Sequence, residues 1–252
     1  MNNLTVLIPT SPIPSHPSTG ILDETIRNIR KYTDARIIIL FDGVHASLLH
    51  RKDDYMKYIE NVISNIDIGA YGECRIMRFV DDPLFDLSQT THRHQAKMTR
   101  AVLGIINTSL TMFVEHDTSP IGDIPFKEIC DIICTSDEIN CVRFNIFDKI
   151  PDEHQYLMLG QKEYNGIPLT RTIQWSQRPH IAKTNWYRDI LSRYFQSDQR
   201  TMIEDVMHSI VQVEYNEKGE DAFGLAIYTP EGNQLRSYHS DGRGSDEKII
   251  TG

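Results

Sequence analysis

The chain has 252 residues, of which 40% are hydrophobic and 24% charged, a balance that suits one large layered domain and excludes intrinsic disorder. A formal net charge of −9 argues against a surface that grips nucleic acid by broad phosphate neutralisation, although a local basic cleft fits inside that average. No apolar run reaches the length of a membrane span, and the apolar start, Leu4 to Ile8, is too short and lacks the basic flank of a secretory leader.

The cysteines, Cys74, Cys130, Cys134 and Cys141, form no C-x-x-C pair. They read as buried reduced thiols of a cytoplasmic protein rather than as a zinc site.

Leu4-Thr5-Val6-Leu7-Ile8 reads as a first buried strand, closed by Pro9. A proline-punctuated loop, Thr10 to Gly20, follows, with hydroxyls and free backbone N–H groups suited to lining a ligand. Apolar residues at Leu22, Ile26 and Ile29 predict a helix over Ile21 to Tyr32, with Asp23 and Glu24 near its start. Ala35 to Phe41 is a second buried strand, ended by Asp42-Gly43. Strand, helix and strand with short links begin a parallel sheet with right-handed crossovers.

Ser47 to Ile66 is mostly helical, and Cys74 to Val80 is a third strand ending in Asp81-Asp82-Pro83. A helix is expected over Thr91 to Asn107. Gln95, Met98, Val102, Leu103 and Ile106 keep its apolar side, while His92, Arg93, His94, Lys97 and Arg100 gather basic groups.

The next run, Leu110 to Pro120 (LTMFVEHDTSP), organises the rest. An apolar strand breaks off into Glu115-His116-Asp117, and Pro120 is expected to stop any continuation. At the C-terminal edge of an open α/β sheet, where ligands bind, two such carboxylates suggest a divalent cation that also takes phosphate oxygens. The plain alternative is a strand end solvated by charge.

Pro125 to Ser136 reads as a helix and Cys141 to Phe147 as a strand. Beyond Lys149 the texture turns polar: Pro151 to Thr170 shows no clear element, and a strand is placed at Thr172 to Trp175. Pro179 to Phe195 and Thr201 to Val213 look helical, and Ala222 to Tyr228 is a late strand before a polar tail.

With strands ending in Asp42, Asp81 and Glu115-His116-Asp117, the chain resembles glycosyltransferases of the GT-A fold, particularly the family-2-like members. The likeness runs through most of the chain in order, on short motifs. It implies an α/β fold with a Rossmann-like, mixed but mostly parallel sheet flanked by helices. One domain is expected, with residues 1–120 as the nucleotide-binding half and 121–252 as the acceptor-side half. The resemblance implies that Pro9, Thr10 and Ser11 cradle the nucleotide, that Asp42 meets the nucleobase, and that Arg93 and Lys97 lie near the diphosphate. Glu115-His116-Asp117 takes the place of the D-x-D motif, with glutamate in place of the first aspartate, so Asp117 is the stronger metal ligand. Glu204-Asp205 matches the E-D pair that supplies the catalytic base, with Asp205 favoured. His239 matches the histidine that completes the metal shell. Trp175 falls where acceptor-side residues often lie.

The implied activity is transfer of a sugar from a nucleotide-sugar donor, a UDP-sugar in the first instance, to an acceptor hydroxyl, with inversion if Asp205 is the base. Mn²⁺ or Mg²⁺ is the implied cofactor, and carboxylate with imidazole favours Mn²⁺. Each residue keeps a plain rival. Asp42-Gly43 is also an ordinary turn, and Glu204-Asp205 also suits a helix dipole. Arg93 and Lys97 fit a solvated basic face, His239 a solvated loop, and Trp175 and Trp186 the core. Two other functions compete. One is a non-catalytic nucleotide- or carbohydrate-binding module. The other is a sugar-phosphate nucleotidyltransferase, which the absence of glycine or arginine between Thr10 and Thr19 opposes.

Overall fold

A computed structural model describes residues 3–80, 95–145, 149–196, 199, 201–219, 221–230 and 234–240. Its centre is a nine-stranded sheet in the order β3-β2-β1-β4-β9-β6-β10-β8-β7. The strands are β1 (Leu4–Thr10), β2 (Arg36–Phe41), β3 (Cys74–Arg78), β4 (Leu110–Phe113), β6 (Cys141–Phe144), β7 (Met158–Tyr164), β8 (Ile167–Thr172), β9 (His180–Lys183) and β10 (Leu225–Tyr228). A separate two-stranded ribbon pairs β5 (Thr118–Pro120) with β11 (Ser237–His239). β1 runs parallel to both β2 and β4, and β9 lies antiparallel between β4 and β6. The result is the mixed, mostly parallel sheet that the resemblance implied.

Alternation along the central strands builds two separate cores. Val6 and Ile8 of β1, Ile37 and Ile39 of β2, and Met112 and Val114 at β4 face α1 (Gly20–Arg30), α2 (Lys52–Asp67) and α4 (Phe126–Thr135). Leu7, Leu40, Phe113 and Ala182 face α3 (Gln95–Leu103), α5 (Thr184–Tyr194) and α6 (Ile203–Lys218). A sheet covered on both faces explains why its central strands read as unbroken apolar runs.

Three expectations need correction. Pro179 to Phe195 is not one helix: His180–Lys183 forms strand β9, and the helix starts at Thr184. Pairing with strands on both sides overrides the local helical pattern. The polar stretch after Pro151 holds the hairpin β7–β8, turning through Asn165-Gly166 with φ of 51° and 82°. Asn-Gly between strands is the expected chemistry for such a turn, and it shifts the strand from Thr172–Trp175 to Ile167–Thr172. Pro120 ends β5, as expected, at an edge position where its missing N–H costs nothing. Finally, Cys130 and Cys141 are buried, whereas Cys134 is exposed and Cys74 half-buried; all four are free thiols.

Trp175 is buried and stacks on Trp186 with ring centroids 5.8 Å apart, which makes it part of the core. Among the described residues, no helix is long and apolar enough to cross a membrane.

The start of β10 depends on Gly224, whose φ is +65° and where a Cβ would lie 2.6 Å from the Glu138 carbonyl oxygen. Asp221 fixes this corner by accepting the N–H groups of Phe223 and Gly224 at 3.1 and 2.9 Å and by pairing with Arg171. Gly224→Ala combines a left-handed backbone with a clash and is expected to cost roughly 2–4 kcal/mol. Thermal unfolding should then shift down by about 5–15 °C.

Candidate active site

In the strand order β3-β2-β1-β4, the chain reverses direction across the sheet between β1 and β4, the position where open α/β sheets form a crevice. The C-terminal ends of both strands meet there. His116 donates its N–H to the Pro9 carbonyl at 3.3 Å, and Asp42 donates its N–H to the Thr10 carbonyl at 3.0 Å. Pro9 and Thr10 belong to β1 itself and are buried, while Ser11 just beyond is half-buried. The Thr10 hydroxyl turns inward to the Leu40 carbonyl at 3.3 Å and meets the Tyr55 hydroxyl. Asp42 accepts the Gly43 N–H on Oδ1 at 2.6 Å, so it closes the turn while standing at the crevice.

The loop after β1 is packed down by His16, whose ring stacks on Tyr58 at 3.9 Å between centroids. Burial, then the neighbouring His116 and Arg51, push its imidazole down to about 3, so it is neutral. The Ile13 N–H points at its Nδ1.

Asp117 and His239 are 122 positions apart in the chain and meet through the β5–β11 ribbon, where His239 stands opposite Thr118. His239 Nδ1 lies 3.9 Å from Asp117 Oδ2. Ser240 donates its N–H to the Asp117 carbonyl at 2.9 Å, which ties the far end of the chain to this turn. α1 braces the same region: Thr25 donates its hydroxyl to the His116 carbonyl at 2.9 Å, and Asn28 donates to the Ser119 hydroxyl at 2.7 Å.

Glu115 leaves on the other face, continuing the Phe113 side toward α3 and α6. Its Oε1 accepts a hydrogen bond from Gln95 Nε2 at 2.8 Å. Burial, then the Asp117 and Glu204 carboxylates, push Glu115 up to about 8, against the opposing pull of Arg178 and the Gln95 bond. Glu204 opens α6, half-buried, and accepts the Gln177 N–H on Oε2 at 3.1 Å. Asp205 is exposed. One residue along a helix is a rotation of about 100°, so the two acids of this pair do not share a direction. Lys97 is half-buried on α3, and Arg93 lies outside the described residues, as do Asp81 and Asp82.

The geometry therefore brings Asp117 and His239 together on one side of this turn and Glu115 and Glu204 near each other on the other, with Asp42 on the neighbouring strand end. Sequence reasoning missed the groups between them. Gln95 carried a signal, being a glutamine on the apolar side of its helix, and it is buried. Arg143, on β6, is buried and bonds the Gln174 side chain; burial pushes it down to about 10 against the nearby Glu204. His180 is held neutral by burial, at about 4, with Nδ1 on the Arg178 carbonyl at 2.8 Å and its ring stacked on Phe113. An arginine or histidine inside a strand gives no pattern by which to foresee this.

Among the described residues, no three His, Cys, Asp or Glu groups stand together as a ready metal cage. Asp117 with His239 supplies carboxylate oxygen and imidazole nitrogen, a donor set that fits part of a divalent cation's shell.

Neither a family model nor a curated protein sequence matches the chain. Solved structures do. S. aureus TarS 1–349 aligns with a TM-score of 0.55 at 12% identity, covering 96% of this chain and 61% of that one. The same protein in complex with UDP-GlcNAc aligns at 0.56 and 12%, covering 94% and 58%. GalNAc-T7 with UDP, GalNAc and Mn²⁺ aligns at 0.53 and 11%, covering 94% and 44%. The chain thus spans about three fifths of the TarS segment and less than half of GalNAc-T7. The architecture is the GT-A fold.

Glu115 gives this rim a pH signature in the metal-free protein. Its folded pKa, about 8, lies above the ordinary 4.5, so its contribution to stability is full below 4.5 and lost as pH rises through 8. The slope is at most about 1.4 kcal/mol per pH unit. Glu115→Gln keeps an acceptor for Gln95 and should flatten the stability measured by urea unfolding between about pH 5 and 8. It should also exceed the wild type in stability at the alkaline end of that series, whereas identical pH profiles for the two proteins would contradict the assignment.

Proposed function

We propose that this chain is a metal-dependent glycosyltransferase that moves a sugar from a nucleotide-sugar donor, a UDP-sugar in the first instance, to an acceptor hydroxyl. The observation that carries the reading is the meeting of Asp117 and His239 at the β1–β4 crevice, with Glu204 near enough to Glu115 for the two carboxylates to repel each other. Residues 1–120 form the donor side and 121–252 the acceptor side. The fold shared with TarS, solved with UDP-GlcNAc, and with GalNAc-T7, solved with UDP and Mn²⁺, supports the donor class.

Asp117 and His239 would hold Mn²⁺ or Mg²⁺, which when bound stabilises negative charge developing on the departing diphosphate. Pro9, Thr10, Ser11 and Asp42 line the nucleotide end, with Arg93 and Lys97 as candidates for the diphosphate. In the transfer, an acceptor oxygen forms a bond to the anomeric carbon while the bond from that carbon to the diphosphate oxygen breaks. The electron pair of the broken bond leaves with the diphosphate. The acceptor proton passes to a carboxylate, and a direct displacement of this kind inverts the anomeric centre. Of the Glu204-Asp205 pair, Glu204 is the better candidate for that base, because it faces the rim while Asp205 faces solvent.

Incubation with a panel of nucleotide sugars, with and without Mn²⁺, tests the proposal. Metal-dependent nucleotide binding is expected, and its absence across the panel would defeat the reading. Asp117→Ala should abolish the metal-dependent part of binding. Glu204→Gln should keep binding and lose turnover by about 10²–10⁴-fold, the usual worth of a general base, whereas Asp205→Asn should lose little. The reverse ranking would return the role to Asp205.

A further inference from the structure

Helix α6 begins without a cap of its own. Its first four N–H groups have no partner inside the helix, and the preceding Met202 has no side chain able to accept one. The missing acceptor comes from 108 residues earlier: Ile203 donates its N–H to Gln95 Oε1 at 3.1 Å. The other end of the same amide is also committed, since Gln95 Nε2 donates to Glu115 Oε1 at 2.8 Å. The Ile203 N–H fixes the amide's orientation, because a flipped amide would turn its NH₂ toward another donor. A second bond runs alongside, from the Ala96 N–H to the Thr201 carbonyl at 3.1 Å.

Gln95 is buried, with only 5% of its surface exposed, so water does not compete freely for either bond. Its two partners belong to the two halves of the proposed reaction. Glu115 stands at the donor edge, two positions before Asp117, and Ile203 immediately precedes Glu204. α3 thus lies between the strand end that would hold the donor and the helix that would carry the base.

We infer that Gln95 is a positioning residue, which fixes the first turn of α6, and with it the Glu204 carboxylate, against the donor edge by capping the helix from a distance. The assignment rests on the glycosyltransferase reading for its kinetic consequence, though not for the structural link. In this arrangement Glu115 is part of the brace, with Oε1 engaged by Gln95, and Asp117 and His239 are left as the metal-side pair. A displacement of the base by about 1 Å is enough to lower turnover 10²-fold without touching substrate affinity.

Gln95→Met, close in volume and unable to make either bond, separates the possibilities. With the nucleotide sugar selected by the panel above, and Mn²⁺, kcat for nucleotide release should fall about 10–100-fold while donor KM and nucleotide diphosphate affinity stay within about twofold. Hydrogen exchange at the Ile203 amide should accelerate. In a Glu204→Gln background, Gln95→Met should add little further loss, because its effect passes through the carboxylate already removed. Unchanged kcat, an equal loss of donor affinity and turnover, or full additivity with Glu204→Gln would overturn the inference. If the wild-type chain turns over no donor, the function proposal fails by itself. Exchange at Ile203 then still decides the structural link, since unaltered protection in Gln95→Met would refute it.

Discussion

Strand β4 is buried along its whole length between β1 and β9, and this constraint sets where charge can enter the molecule. Leu110, Met112 and Val114 face one helical layer and Phe113 faces the other, so a carboxylate anywhere earlier in the run would meet hydrocarbon on either side. Along β4, acidic groups can appear only where the strand leaves the sheet. That exit lies at the crevice between β1 and β4, beside the end of β2, and the same geometry brings Asp42 alongside. The site is in this sense a boundary effect: it forms where the apolar sheet stops and its charged continuation is still held by strand ends.

Beyond that boundary the three residues Glu115-His116-Asp117 do not act as one group. Asp117 leads into β5, which lies against α1 and pairs with the strand that carries His239. Glu115 follows the opposite face and is drawn to α3 and α6. His116, between them, has its backbone bound to Pro9 and Thr25. The extra methylene of a glutamate at the first position gains meaning from this split, because it supplies reach toward the Gln95 amide. The Asp117–His239 pair and the Glu115–Gln95 pair then stand on either side of a single turn of chain.

Much of the frame was legible in the amino-acid sequence for a simple reason: a sheet covered on both faces turns its strands into apolar runs, and its helices into stripes. β1, β2, β4, α1, α2 and α4 follow from that patterning. The carboxylate at the strand end was legible too, since polarity breaks off there sharply. The hairpin at Asn165-Gly166 carried its signal in the dipeptide, and the polar residues around it obscured the strands.

Tertiary structure alone decided the rest. His180–Lys183 has the composition of a helix start and becomes a strand because β4 and β6 offer hydrogen-bonding edges on both sides of it. The partnership of Asp117 with His239 depends on a ribbon of three-residue strands too short to show any period. Which acid of Glu204-Asp205 faces the rim follows from the rotation of α6 against the sheet, and adjacent letters carry no such angle. Gln95 caps a helix more than a hundred residues away, a bond that exists only once both helices have packed. Local patterning is a property of neighbours in the chain, and it fixed the layers. The site is made of neighbours in space, and folding chose them.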